Sequence, residues 1–163
     1  MEKTGSRQVV LSELLEPSAI KLHLAGKNQD EVLAELVGQI SEIADRPEAR
    51  QTLIKALNER EQLHSTGIGD GVALPHARNG LVGLVDHPIV VFGRHDTGIP
   101  YGAIDGAPAR IFFLLIAPTV TQHLGILARL GRILRNPKLR SALLAADTPQ
   151  KVISLVREAE LQS

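Results

Sequence analysis

The sequence predicts a single α/β domain. Three observations predict it. A length of 163 residues suits one hydrophobic core, which in a chain of this size buries roughly two thirds of the unfolded surface. Segments with apolar residues at helical spacing are interleaved with short apolar runs of strand length, and no repeat or low-complexity linker divides them. One of those runs, IFFLLI from Ile111 to Ile116, is apolar at every position, the pattern of a central strand covered on both faces. The domain is expected to span residues 10–158, with 1–9 and 159–163 as frayed ends.

Ala19 to Leu24 reads as the first strand. From Asn28 to Ala44 the residues Val32, Leu33, Leu36, Val37, Ile40 and Ile43 recur at helical spacing, with Asp30 and Glu31 early, where the helix dipole favours negative charge. Pro47 separates this helix from a second, Glu48 to Glu61, which buries Leu53, Ile54 and Leu57 and delivers Arg60 and Glu61 to a glycine-rich segment. Val72 to Leu74, Pro88 to Phe92 and Ile111 to Ile116 read as further strands. After Pro118, the segment TVTQHLGILARLGRILR opens with Thr119 and carries Gln122 three residues later, a capping-box pattern. Helices over Lys138 to Leu144 and Pro149 to Glu158 close the chain.

Composition excludes several functions. Lysine plus arginine equals aspartate plus glutamate at 18 each and no basic run is present, which argues against nucleic-acid binding. The four aromatic residues, Phe92, Tyr101, Phe112 and Phe113, are too few for a stacking platform. The absence of cysteine removes disulfides, thiol catalysis and zinc-thiolate sites. The N-terminus lacks the pattern of a signal peptide, and no apolar run approaches the ~18 residues needed to span a bilayer. A cytoplasmic protein is expected.

The stretch HSTGIGDGVALPHAR, His64 to Arg78, holds the strongest chemical signal. His76 follows a strand-like run and a proline of fixed φ, so the backbone aims its ring. Gly67, Gly69 and Gly71 allow backbone N–H groups to converge on an anion, although neither the Walker nor the dinucleotide pattern is present. His123 falls in the first turn of its helix, beside the positive end of the dipole and on the face of Leu127, Leu130 and Leu134. Arg60 ends a helix where spacing favours a solvated charge at the negative end of the dipole, although its guanidinium can also reach an oxyanion at the glycine turn, and Ser65 and Thr66 offer hydroxyls to the same anion or cap the turn. Spacing leaves two readings open: a histidine that carries phosphate, or a metal site built from His64, His76, His123 and Asp105. The second is weaker, because the histidines are far apart and no HxxxH pair is present. His23, His87 and His95 lie in polar or strand-end surroundings and read as ordinary surface or satisfied core histidines, and Asp105 reads as a turn residue.

These residues resemble a known family. EREQLHSTGIGDGVALPHAR (Glu59 to Arg78), AIDGAPARIFFLLIAP (Ala103 to Pro118) and TQHLGIL (Thr121 to Leu127) are similar, in that order, to the IIA domains of the bacterial phosphoenolpyruvate-dependent sugar phosphotransferase system, fructose/mannitol type, and to their nitrogen-regulatory relatives. The resemblance covers Val10 to Glu158 and implies a compact sandwich, a mixed sheet with helices on both faces. It implies that His76 accepts a phosphoryl group, that His123 supports the phosphorylated state and that Arg60 sits by the phosphate, with Ser65, Thr66 and the Gly67 N–H as further phosphate contacts. It also implies that no cofactor or metal is needed. The donor would be HPr or its nitrogen-branch counterpart. The recipient would be a IIB domain, for a sugar transporter, or a regulated enzyme, kinase or channel, for a nitrogen-type regulator; the regulatory role is the main expectation. Three places depart from the family pattern: His64 stands where glycine is usual, Gly93 to Gly102 is richer in turn residues, and Arg110 precedes the central strand.

Overall fold

The computed structural model describes residues 10–77 and 84–163, so the expected fraying of 1–9 and the motif residue Arg78 lie outside the described residues. Its centre is an antiparallel pair of long strands, β4 (Ile89–Ile99) and β5 (Ala109–Ile116), in register from Ile89 opposite Ile116. β1 (Ile20–Lys21) joins β4 in parallel, β3 (Val72–Ala73) joins β5 in parallel, and β2 (Gly67–Gly69) adds to β3 in antiparallel fashion. The resulting five-stranded mixed sheet has the order β1-β4-β5-β3-β2.

Both faces of β5 are buried, as its unbroken apolar run requires. Phe112, Leu114 and Ile116 pack in one core with Val32, Leu33 and Leu36 of α2 (Gln29–Val37) and Leu53 and Leu57 of α3 (Pro47–Leu63). Ile111, Phe113 and Leu115 point the other way, into a second core. That core holds Leu11 of α1 (Leu11–Leu14), Ile126 and Leu130 of α4 (Val120–Ile133), Leu143 of α5 (Pro137–Ala145), and Val152 and Val156 of α6 (Pro149–Gln162). At about 1.5–3 kcal/mol for each large apolar side chain fully buried, β5 is the main anchor of both layers. The predicted α/β sandwich, with helices on both faces of a mixed sheet, is what forms.

Four expectations change in detail. The helix expected from Asn28 to Ala44 ends at Val37; glycine at 38 is a poor helix residue, and after it Ser41–Ile43 forms a 3-10 turn that still buries Ile40 and Ile43. The first strand is only Ile20–Lys21, because a 3-10 turn at Pro17–Ala19 occupies its expected start. The segment GRHDTGI, expected to turn, extends β4 instead and places His95 in a strand. Its glycines serve packing and a register shift. A Cβ on Gly93 would lie 2.5 Å from Leu36 Cδ2, and Gly98, at φ +91°, sits where the register with β5 shifts. The C-terminal residues 159–163 are no frayed tail. α6 runs to Gln162, and Glu160 accepts the N–H groups of Leu11 at 2.6 Å and Ser12 at 3.0 Å, capping α1 with a carboxylate that also pairs with Arg129.

Candidate functional site

The site forms where the glycine-rich segment leaves α3 and returns along β5. α3 ends at Leu63 and His64 is its C-cap. β2 then meets β3 across a turn in which Gly69, Asp70 and Gly71 all have positive φ, at 92°, 57° and 79°. Asp105 anchors this turn from outside: Oδ2 accepts the Asp70 N–H at 2.8 Å and Oδ1 accepts the Ala107 N–H at 3.0 Å. These backbone donors, Asp70 first, hold the exposed Asp105 carboxyl below its ordinary pKa. Beyond β3 the chain stays beside β5, with the Pro75 carbonyl accepting the Leu115 N–H at 3.0 Å and His76 bridging to Leu115.

His76 is 8% exposed, and its Nδ1 lies 2.7 Å from the Leu74 carbonyl. A carbonyl can only accept, so Nδ1 carries the ring proton and Nε2 keeps its lone pair. Half of the capping box expected at Thr119 is seen: Oγ1 accepts the Gln122 N–H at 3.1 Å, while the Gln122 side-chain oxygen accepts the Thr119 hydroxyl at 3.1 Å, and this cap starts α4 so that His123 falls in the first turn. His123 is 3% exposed, and its ring centroid lies 5.2 Å from that of His76 with the planes 59° apart. Its Nδ1 is buried without a hydrogen-bond partner among the described residues. Arg60, in the last turn of α3, donates from Nη1 to the His64 carbonyl at 2.6 Å.

Electrostatics keep both rings neutral. Burial pushes the His76 pKa down; the Leu74 carbonyl opposes this, Arg60 adds to it, and Glu61 opposes it. His123 is lowered by burial and then by His76. In the unfolded chain both would titrate near the ordinary value of about 6.5. As pH falls below that value the unfolded state therefore binds protons that the folded state refuses, and stability drops. The exposed His87, raised by its hydrogen bonds to Asp86 and Glu42, contributes with the opposite sign and is screened by solvent. The expected outcome is that acid weakens the fold from about pH 6.5 downward. Denaturant melts between pH 5 and 8 check this, and His123→Gln should flatten the slope.

The structure thus brings His76 and His123 together, with Arg60 near enough for its charge to lower the His76 pKa. In the unphosphorylated structure the donors of Ser65, Thr66 and Gly67, expected as phosphate contacts, bond within the protein. The Ser65 hydroxyl donates to the Tyr101 carbonyl at 2.5 Å and accepts the Gly67 N–H at 2.9 Å, while the Thr66 hydroxyl and N–H both bond the Glu61 carboxylate. These three residues shape the loop. The alternative metal set of His64, His76, His123 and Asp105 does not assemble: among the described residues no three His, Asp or Glu side chains are grouped to hold a metal ion. His23 bonds Asp96, His87 bonds Asp86 and Glu42, and His95 bonds the Gly26 carbonyl and the Gly98 N–H. Arg110 donates to the His95 carbonyl at 3.4 Å, beside the turn-rich segment.

Sequence reasoning missed Glu61 and Tyr101. Glu61 is 8% exposed and accepts from Thr66 and from the Tyr101 hydroxyl at 2.9 Å. Burial, followed by the nearby Glu61 charge, raises the Tyr101 pKa. A signal for Glu61 was available: it follows Leu53 and Leu57 at four-residue intervals, on the buried stripe of α3.

Comparison with known proteins identifies the family and the fold. The family model described as "Phosphoenolpyruvate-dependent sugar phosphotransferase system, EIIA 2" matches residues 13–159. The fructose-specific EIIABC component of the phosphotransferase system in Bacillus subtilis is 33% identical over 150 residues, which cover 91% of this chain and 23% of that protein. The chain therefore spans about a quarter of that relative's length. A nitrogen regulatory protein of Bradyrhizobium diazoefficiens is 31% identical over 148 residues, covering 90% of this chain and 94% of that protein. Among solved structures, the nitrogen regulatory protein IIA-Ntr of Neisseria meningitidis superposes with a TM-score of 0.79 at 25% identity, covering 91% of this chain and 99% of that one.

Proposed function

The chain belongs to the EIIA 2 family of the phosphoenolpyruvate-dependent sugar phosphotransferase system, and from that premise we propose that it is a phosphocarrier whose acceptor atom is His76 Nε2. The observation that carries this reading is the Nδ1–H bond to the Leu74 carbonyl, which leaves Nε2 as the one nucleophilic nitrogen of the ring. HPr or its nitrogen-branch counterpart presents a phosphohistidine. The donor P–N bond breaks, its electron pair returns to the donor ring, and the Nε2 lone pair forms the new P–N bond. The proton on Nδ1 stays against the carbonyl. Transfer through a loose transition state depends on alignment and on stabilisation of charge. His123 and Arg60 supply that stabilisation, His123 from the positive end of α4 and Arg60 through its guanidinium.

The role is that of a nitrogen-type regulator, in which phosphorylation decides the binding of a regulated enzyme, kinase or channel. Similarity to the Bradyrhizobium and Neisseria proteins over nearly their full lengths supports it. A second reading, a transporter subunit that passes phosphate to a IIB domain, is favoured by similarity to the fructose-specific relative. Either role is cytoplasmic, and no helix among the described residues is long and apolar enough to cross a membrane. Incubation with phosphoenolpyruvate and each donor pair, followed by intact-mass spectrometry, tests the proposal. One acid-labile adduct, absent in His76→Ala, is expected, with faster transfer from the nitrogen-branch pair. Faster transfer from Enzyme I and HPr would favour transport, and an adduct that survives in His76→Ala would refute the acceptor.

A further inference from the structure

Glu61 is a buried charge with no part in the phosphoryl transfer described above. A carboxylate in such a place is costly unless its lone pairs are filled. Here they are filled by groups that lead to the acceptor ring. Oε1 takes the Thr66 N–H at 2.8 Å, and Oε2 takes the Thr66 and Tyr101 hydroxyls. The Thr66 carbonyl accepts the Leu74 N–H at 3.0 Å, and the Leu74 carbonyl accepts Nδ1–H of His76 at 2.7 Å. An unbroken series of hydrogen bonds thus runs from the end of α3 through residues 66 and 74 to the imidazole. Tyr101 reinforces it from the segment after β4, since its carbonyl holds the Ser65 hydroxyl.

We propose that Glu61 is a positioning residue for His76: it clamps Thr66, and through Thr66 and Leu74 it fixes the imidazole in the Nδ1–H form with Nε2 open to the donor. The inference rests on the phosphocarrier reading for its purpose. A carboxylate suits the task because it accepts three donors and donates none. Glutamine has one acceptor oxygen, so its NH2 would face either the Thr66 N–H or the two hydroxyls. The charge also acts directly. Among the described residues, the charged and titratable groups that act on His76 are Arg60 and Glu61 from α3 and His123 from α4; Glu61 raises its pKa and Arg60 lowers it. Losing Glu61, or the Leu74 bond that it maintains, therefore moves the His76 midpoint down.

The test is ring nitrogen NMR of the unphosphorylated protein, wild type against Glu61→Gln, with single-turnover phosphorylation in parallel. Wild-type His76 is expected wholly as the Nδ1–H tautomer. Glu61→Gln is expected to show a mixture of tautomers and a lower titration midpoint. Its phosphorylation should slow roughly 10- to 100-fold, the scale of a misplaced reacting group, with donor KM within about twofold. A folded Glu61→Gln with the wild-type tautomer, midpoint and rate overturns the proposal, since a purely structural carboxylate would leave all three unchanged. If Glu61→Gln does not fold, Glu61→Asp, whose carboxylate is one methylene further from the Thr66 N–H and hydroxyl, decides by the tautomer alone: a mixture supports the clamp and an unchanged ring overturns it. The ring spectra need no donor. If the wild type accepts no phosphate, the phosphocarrier reading fails while the spectra still decide the clamp.

Discussion

Replacing Arg94 by methionine should lower the unfolding free energy by about 3–5 kcal/mol, the sum expected when several buried carbonyls lose a charged donor. Arg94 lies in β4, 7% exposed, and among the described residues its hydrogen-bond partners are carbonyls. Its Nε donates to the Leu22 carbonyl at 3.2 Å, and Nη1 donates to the carbonyls of Leu143 at 3.0 Å and Ala146 at 2.5 Å. The last two close the C-terminal end of α5, where the helix dipole favours a cation. One side chain thus joins the central sheet, the segment after β1 and α5. Methionine keeps the apolar stem but leaves three acceptors without their donor. Against a typical total of about 5–15 kcal/mol this is a large fraction, and it corresponds to a Tm lower by roughly 10 °C for a chain of this size. Urea melts with an unchanged m value would establish the loss. A variant within about 1 kcal/mol of wild type would mean that the carbonyls find other donors.

His123→Ala should slow phosphoryl acceptance by about 10²- to 10³-fold, the range for removing one preorganised donor at a developing charge. The resting ring is buried with its pKa lowered, and its Nδ1 has no partner among the described residues, an arrangement that leaves hydrogen-bonding capacity unused until an anion arrives. A phosphoryl group on His76, whose ring is 5.2 Å away, supplies that anion. The opposite charge then favours the imidazolium, so the His123 midpoint should rise on phosphorylation from its lowered resting position. Stopped-time mass spectrometry gives the rate, and histidine NMR before and after phosphorylation gives the midpoint. A rate within about threefold of wild type would assign His123 to packing alone.

The parts of this protein that depend on neighbours in sequence were legible. The Pro-His placement, the Thr119 cap that sets His123 one turn into α4, and the all-apolar β5 each follow from a few adjacent residues. What escaped depends on partners far along the chain. Hydroxyls beside glycines suit either an anion or a turn cap, and sequence does not reveal that in the unphosphorylated structure Ser65 bonds Tyr101, 36 residues away, and Thr66 bonds Glu61. GRHDTGI carries turn residues, and sequence alone does not reveal that Gly93 is glycine because Leu36 crosses it. Glu160 looked like a polar tail because its partner, the N-terminus of α1, is 149 residues distant.

The most direct measurement is phosphorus–nitrogen NMR of the phosphorylated protein labelled with ¹⁵N-histidine. The expected result is one phosphorus coupled to Nε2 of His76, with Nδ1 still protonated against the Leu74 carbonyl. A phosphorus on Nδ1, on another histidine such as His64, or on no histidine would contradict the assignment of His76 Nε2 as the acceptor.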